Sequence, residues 1–205
     1  MAGVRVPYAV IDGFLPAALH DALLAESIDQ ISNFTPSSVH TPDGTAYDVD
    51  VRRSWRASGA GTFSEEILRH LTAARAKLLS AVGIEPFDPW SLELERCAHL
   101  DGDYFRPHID TYTEAQRGGM RGDRILTLVY YFHRQPRGFR GGELVLHPFG
   151  QGVENVIEPH DNRLVVFPSF ARHEVRPLTV PGNVPADARF SVTGWLRRHD
   201  PTAAV

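Results

Sequence analysis

ILTLVYYF, residues 125–132, is a short run of leucine, β-branched and aromatic side chains with no glycine or proline inside it. Eight residues is a normal strand length and short for a helix. The same pattern recurs on both sides. SLELERCAHL (91–100) and YFRPHID (104–110) precede it. GELVLHPF (142–149), VENVIE (153–158), RLVVFPS (163–169), HEVRPL (173–178) and ARFSVTGWLRR (188–198) follow. Glycine, proline and aspartate separate these runs. Short strands at close spacing with turn residues between them point to a β-sandwich or barrel.

The first 90 residues differ in character. YAVIDGF (8–14) reads as a strand ending in an Asp-Gly turn. Pro16 then opens a helix that runs to about Asp29, with Leu19, Leu23 and Leu24 on one face. Residues 33–61 are rich in Ser, Thr, Pro, Gly and Asp and read as loop, with one strand near Val49–Trp55. SEEILRHLTAARAKLLSAVG (64–83) has Ser64 at the cap, two glutamates in its first turn and Gly83 at its end. Its buried stripe is Ile67, Leu68, Leu71, Leu78, Leu79 and Val82. The expectation is one mainly β domain over 1–205. A jelly-roll core at 91–198 is buttressed by the N-terminal strand and helices of 1–90.

The 205 residues are 42% hydrophobic and 22% charged, with a formal net charge of −4. That composition fits a globular chain and gives no basic face for nucleic acid. No run approaches the roughly 20 apolar residues of a membrane span. The N-terminus lacks a secretory pattern, and the single Cys97 excludes an internal disulfide and a multi-cysteine zinc site. A cytoplasmic, reducing location is expected. The partner is expected to be a small molecule or a peptidyl substrate; oligomeric state is open.

HLDGDYFRPHID (99–110) contains His-x-Asp twice. On a strand such a pair points to one face, as two ligands of one metal do. Asp101-Gly102 is a turn signal, so His99-Leu-Asp101 is demoted as a ligand pair. His108-Ile-Asp110 sits in an extended stretch beside Pro107, which places it near an edge or mouth. A third ligand is needed. Of the later histidines, His133 reads as exposed loop entry, His147 as solvent-facing and His160 as turn. His173 opens a strand after a buried one. Two histidines and one carboxylate suit non-haem Fe(II), and zinc accepts the same donors.

GDYFRPHID, RILTLVYYFH, FRGGELVLHP, NRLVVFPSFARHEVRPL and ARFSVTGWLRR, in this order, resemble the Fe(II)- and 2-oxoglutarate-dependent dioxygenases, in particular the prolyl 4-hydroxylase-like branch. YAVIDGFLPAALHDALL resembles the opening of that branch. The resemblance implies a double-stranded β-helix of the jelly-roll, cupin-like type. It implies Fe(II) held by His108, Asp110 and His173, with 2-oxoglutarate and O2 as co-substrates and ascorbate in support. Asp110, where halogenating relatives carry a small residue, favours hydroxylation. Arg189 is the expected partner of the distal carboxylate of 2-oxoglutarate, since arginine pairs with carboxylates bidentately. Ser191, Thr193 and Trp195 share its strand face, and the Ser191 and Thr193 hydroxyls are candidates to assist it. Tyr131 and Thr127 are further candidates for that carboxylate. His99 stands where many relatives have tyrosine. It reads either as a contact to 2-oxoglutarate or substrate, or as a satisfied strand histidine.

The implied reaction hydroxylates an unactivated C–H bond of an amino-acid-like substrate and releases succinate and CO2. That substrate is a protein residue such as prolyl, a free amino acid or a peptide-like natural product. It needs no general base, and no catalytic residue is nominated beyond the metal ligands. Two other classes compete: a cupin-like metalloenzyme that does not use 2-oxoglutarate, and a non-catalytic barrel that binds. TYTEAQRGGMRGDR (111–124) reads as a lid. Arg117, Arg121, Arg137 and Arg140 read as loop charges able to attract an acidic group.

Overall fold

A computed structural model describes residues 5–41, 44–112 and 122–200. The chain opens with strand β1 (Ala9–Asp12) and helix α1 (Ala17–Asp29). Short strands β2 (Thr35–Pro36), β3 (Val39–Thr41), β4 (Gly44–Ala46), β5 (Arg52–Arg53) and β6 (Trp55–Ser58) follow, then helix α2 (Ser64–Ala81). The remainder is strand: β7 (Trp90–His99), β8 (Tyr104–His108), β9 (Asp123–Phe132), β10 (Arg140–Gly141), β11 (Leu144–Leu146), β12 (Asn155–Ile157), β13 (Arg163–Pro168), β14 (His173–Val175), β15 (Leu178–Thr179) and β16 (Arg189–Arg198). Each of the eight runs expected as a strand after residue 90 is one.

Two antiparallel sheets face each other. The larger has the order β1-β13-β9-β16-β7-β6-β2 and the smaller β12-β11-β14-β8-β5. Apart from the β11-β12 pair, neighbours in these sheets are distant in sequence, the arrangement of a jelly roll. Strand alternation divides the large sheet into two faces. Leu126, Leu128, Tyr130 and Phe132 of β9, with Phe190, Val192 and Leu196 of β16, join Leu19 and Leu23 of α1 and Ile67, Leu71, Leu78 and Leu79 of α2 in one core. The opposite face packs Val129, Tyr131, Val165 and Phe167 against Leu144, Leu146 and Ile157 of the small sheet. The helices therefore cover the outer face of the large sheet and leave its inner face for the site.

Local chemistry accounts for the element ends. Gly83, at φ +72°, closes α2 with Ile84 N–H donating to the Leu79 carbonyl and Gly83 N–H to that of Ser80. Ser64 is the first helical residue, not the cap. Its hydroxyl accepts from Ala60 N–H and donates to the Gly61 carbonyl, closing a preceding 3-10 turn. Leu68 is only half-buried, because the stripe turns away from the sheet there. Segment 33–61 holds more order than its composition suggests. The strand expected near Val49–Trp55 is broken at Ser54: β5 pairs with β8 in the small sheet, β6 with β7 in the large one. Of the expected lid, residues 113–121 lie outside the described residues, Arg117 and Arg121 with them. Among the described residues, no helix is long and apolar enough to cross a membrane.

The glycine pair before β11 performs a specific task. Gly141 and Gly142 have φ of +77° and +74°, a region that costs other residues roughly 1–2 kcal/mol. A Cβ on Gly141 would lie 2.4 Å from the Pro177 carbonyl oxygen, and one on Gly142 2.9 Å from the Arg189 Cδ. Gly13 has a similar φ of +63° but open space around it. Gly141→Ala should therefore destabilise the protein by about 2–4 kcal/mol, and Gly13→Ala by only about 1 kcal/mol. Urea unfolding of both variants measures the difference; equal losses would show that the close contact carries no cost.

Candidate metal centre and carboxylate site

His108 ends β8 and His173 begins β14, and the two are direct partners across the small sheet. Asp110 follows two residues after His108, tethered by its N–H to the Ser169 carbonyl at 2.9 Å. Asp110 Oδ1 lies 3.6 Å from His108 Nε2, and Oδ2 lies 3.6 Å from His173 Nε2. One donor atom from each residue falls within 4.8 Å of the others, and these are the three residues grouped so among the described ones.

Neighbouring groups fix which atoms are free to coordinate. His108 Nδ1 donates to the Arg106 carbonyl at 2.8 Å and His173 Nδ1 to that of Ala171 at 2.9 Å. Each ring thus presents an unprotonated Nε2 toward Asp110. Burial, then the neighbouring His108, lowers the His173 pKa to about 4, which keeps its ring neutral. Burial opposes ionisation of Asp110, but His173, His108 and the Trp195 N–H overcome it and hold the carboxyl well below the ordinary range. An anionic carboxylate between two imidazole Nε2 atoms fits a divalent cation.

Asp110 is further oriented from the large sheet. Thr127 Oγ1 donates to Asp110 Oδ2 at 2.8 Å, and Trp195 Nε1 donates to the same oxygen at 2.9 Å. Oδ1 is left for a metal. The Thr127 hydroxyl, expected beside a cofactor carboxylate, is turned to Asp110 instead. Trp195 went unrecognised as a positioning group in the sequence. Only the pairing of β16 with β9, which sets Trp195 opposite Thr127, brings the two donors together.

These residues line one cavity of about 450 Å³ that extends along the inner face of the large sheet. Its wall is a grid fixed by register. On β16, Arg189, Ser191, Thr193 and Trp195 stand opposite His99, Cys97, Glu95 and Glu93 of β7. On the other side of β16, Tyr131 stands opposite Ser191. The four β16 residues share the cavity face, as alternation requires.

Arg189 is 1% exposed and has no carboxylate contact among the described residues. Its Nη1 donates to His99 Nδ1 at 3.2 Å, its guanidinium lies 4.6 Å over the Tyr131 ring, and its Nε has no partner. The Tyr131 hydroxyl and His99 Nε2 are also buried without partners. A buried, uncompensated charge costs several kcal/mol. A buried guanidinium with its own Nε unpaired, and two further unpaired polar groups beside it, fit an anionic ligand such as a carboxylate. Burial and the adjacent Arg189 keep the His99 pKa well below normal, so Nδ1 accepts and Nε2 carries the proton.

Other expected positions fall elsewhere. Asp101 accepts from Val180 N–H in the turn at Gly102, which has φ +73°, and takes no part in the metal site. His133, expected to be exposed, is 3% exposed: its ring nitrogens bond the carbonyls of Arg134 and Pro159. His147 is half-buried beside Glu154 and Glu174, and His160 is exposed. Arg137 pairs with Glu158, and Arg140 is exposed.

Two outcomes follow. Trp195→Phe removes one donor to Asp110 while keeping an aromatic ring, so Fe(II) affinity should fall about 10- to 100-fold with the fold intact. Anaerobic metal titration measures this; unchanged affinity would mean that Trp195 does not orient Asp110. Burial, then Glu95, raises the Cys97 pKa to about 12. Iodoacetamide at pH 8 should therefore leave the native thiol unmodified and label it only in denaturant; labelling of the native protein would contradict this environment.

Comparison with known proteins agrees with the fold. Residues 93–197 match the model of the 2OG-Fe(II) oxygenase superfamily. An uncharacterised PKHD-type hydroxylase of Synechocystis is 30% identical over 203 residues; the match covers 93% of this chain and 63% of that protein's length. A Pseudomonas putida prolyl-4-hydroxylase has 26% identity and a TM-score of 0.65, with 96% of this chain and 95% of that one covered. A Trichoplax adhaerens prolyl hydroxylase, solved with a hypoxia-inducible-factor peptide fragment, has 19% identity and a TM-score of 0.66, covering 94% and 84%. With more than half its length matched by the family model, and with two histidines, a carboxylate and a buried arginine on one cavity of a jelly roll, the chain belongs to the 2OG-Fe(II) oxygenase superfamily.

Proposed function

We propose that this protein is a hydroxylase that uses Fe(II), 2-oxoglutarate and O2 to oxidise an unactivated C–H bond of an amino-acid-like substrate, with release of succinate and CO2. The observation that carries this reading is the pairing of two incomplete charge sites on one cavity. One is the His108, Asp110 and His173 cluster; the other is Arg189, buried without an acid. A metal completes the first and a dicarboxylate the second.

The residues divide the work. His108 and His173 hold the metal through Nε2 and Asp110 through Oδ1, three protein ligands that leave positions open for co-substrates. Arg189 takes the distal carboxylate of 2-oxoglutarate, with the Tyr131 hydroxyl and His99 Nε2–H beside it. Ser191 and Thr193 add hydroxyls along the same wall. Thr127 and Trp195 keep Asp110 aimed at the metal. When bound, Fe(II) and 2-oxoglutarate supply the oxidising chemistry, and ascorbate supports it by keeping the metal reduced. The protein supplies orientation and a cavity walled by β7, β9 and β16. No side chain need act as general base. The likeness to a prolyl-4-hydroxylase and to a PKHD-type hydroxylase supports hydroxylation as the outcome.

The test is a 2-oxoglutarate titration of the Fe(II)-loaded protein without oxygen. Wild type should bind one equivalent. Arg189→Met should weaken 2-oxoglutarate about 10- to 100-fold while Fe(II) affinity stays unchanged. In air, wild type should form succinate and Asp110→Ala should form none. Failure of 2-oxoglutarate to bind, or equal binding to Arg189→Met, would exclude this function.

A further inference from the structure

Beyond Arg189, the cavity wall carries three more arginines, Arg52, Arg56 and Arg124, and two glutamates, Glu93 and Glu95. Glu95 is shared: Arg52 Nη2 lies 3.3 Å from Oε1 and Arg56 Nη1 lies 3.4 Å from Oε2. Glu93 is shared in the same way, with Arg124 Nη2 at 2.7 Å from Oε1 and Arg197 Nη1 at 3.1 Å from Oε2. Among the described residues, one carboxylate between two guanidinium groups leaves each cluster with one positive charge. The surplus is only partly solvated, since the Arg52 and Arg124 side chains are 13% and 9% exposed. The Nε atoms of Arg56 and Arg124 are buried without partners.

The Arg52 cluster also lies close to the metal ligands. The Arg52 guanidinium sits 4.8 Å over the Phe105 ring, and Phe105 stacks on His108 with centroids 3.4 Å apart. Arg52 is steered there by its own sheet. Its Nε donates to Ser54 Oγ at 2.8 Å, and β5 pairs with β8 so that Arg52 faces Phe105. An anion held by Arg52 therefore lies about one aromatic ring from a metal-binding histidine.

The charge at the metal end is already balanced in the proposed function: Arg189 and a divalent metal offset Asp110 and the two carboxylates of 2-oxoglutarate. The surplus at Arg52 and Arg56 has no counterpart in that account. We propose that the primary substrate is a small molecule with a free carboxylate, and that Arg52 and Arg56 read this carboxylate at the mouth of the cavity. An internal prolyl or other neutral residue of a peptide has its α-carboxylate tied up as an amide and brings no charge of its own to this site. A cavity of about 450 Å³ is also of small-molecule size. The proposal rests on the 2-oxoglutarate-dependent function given above and narrows its substrate class. Arg52 and Arg56 are specificity residues here.

The experiment uses wild type loaded anaerobically with Fe(II) and 2-oxoglutarate, whose visible charge-transfer band reports arrivals beside the metal. The probes are the free L-amino acids and L-pipecolate, their primary amides, and a neutral capped peptide, acetyl-Gly-Pro-Gly-amide. At least one free acid should shift the band and stimulate succinate formation in air, while its amide and the peptide do neither. Arg52→Gln should weaken that acid at least about tenfold and leave 2-oxoglutarate affinity unchanged. Arg56→Gln, at a more exposed side chain, should weaken it in the same direction, and Arg52→Lys should restore part of the loss. The proposal is overturned if no free acid acts, if amide or peptide acts as well as the acid, or if both glutamine variants bind the acid like wild type. Failure of 2-oxoglutarate itself to bind is seen before any acid is added. It would overturn the underlying function and this proposal together.

Discussion

One strand constrains the rest of this structure. β16 pairs along ten residues with β7 and along nearly the same length with β9, so its register cannot slip without moving both neighbours. Its alternation then assigns opposite tasks to adjacent residues. Phe190, Val192 and Leu196 fill the core under the helices. Arg189, Ser191, Thr193 and Trp195 face the cavity. A one-residue shift would bury Arg189 in hydrocarbon and turn Phe190 toward the site. The helices therefore contribute to function indirectly, by fixing which face of β16 is the dry one.

Uncompensated charge is the second organising fact. Asp110 is ionised although buried, because two imidazoles, a hydroxyl and an indole N–H surround it. Arg189 is buried with a histidine and a tyrosine as its neighbours and, among the described residues, no acid. Such groups destabilise a protein unless a ligand completes them. In the proposed function the cavity takes a cation at the first place and an anion at the second. The glycine at 142 belongs to the same economy, since a side chain there would press on Arg189.

Much of this was legible in the sequence, and the limits are physical. The strands after residue 90 announced themselves by short apolar runs, and His108-Ile-Asp110 stood out from His99-Leu-Asp101 because Asp101-Gly102 forms a turn. Alternation predicted the shared face of Arg189, Ser191, Thr193 and Trp195. Features that depend on register between distant strands were not legible. Nothing local says that Thr127 and Trp195 converge on Asp110, or that Glu93 and Glu95 are each divided between two arginines. His133 looked exposed because its carbonyl partners come from the chain turn at Pro159. The segment 33–61 looked like loop because its strands are two to four residues long and are held by pairing, not by propensity.

The central claim is that one cavity holds a metal on His108, Asp110 and His173 and a dicarboxylate on Arg189. Crystals grown without oxygen in Fe(II) and 2-oxoglutarate, measured at the iron absorption edge, test it most directly. The account predicts a single anomalous peak bound by His108 Nε2, Asp110 Oδ1 and His173 Nε2, with the far carboxylate of 2-oxoglutarate on the Arg189 guanidinium. An anomalous peak elsewhere, or 2-oxoglutarate seated away from Arg189, would contradict it.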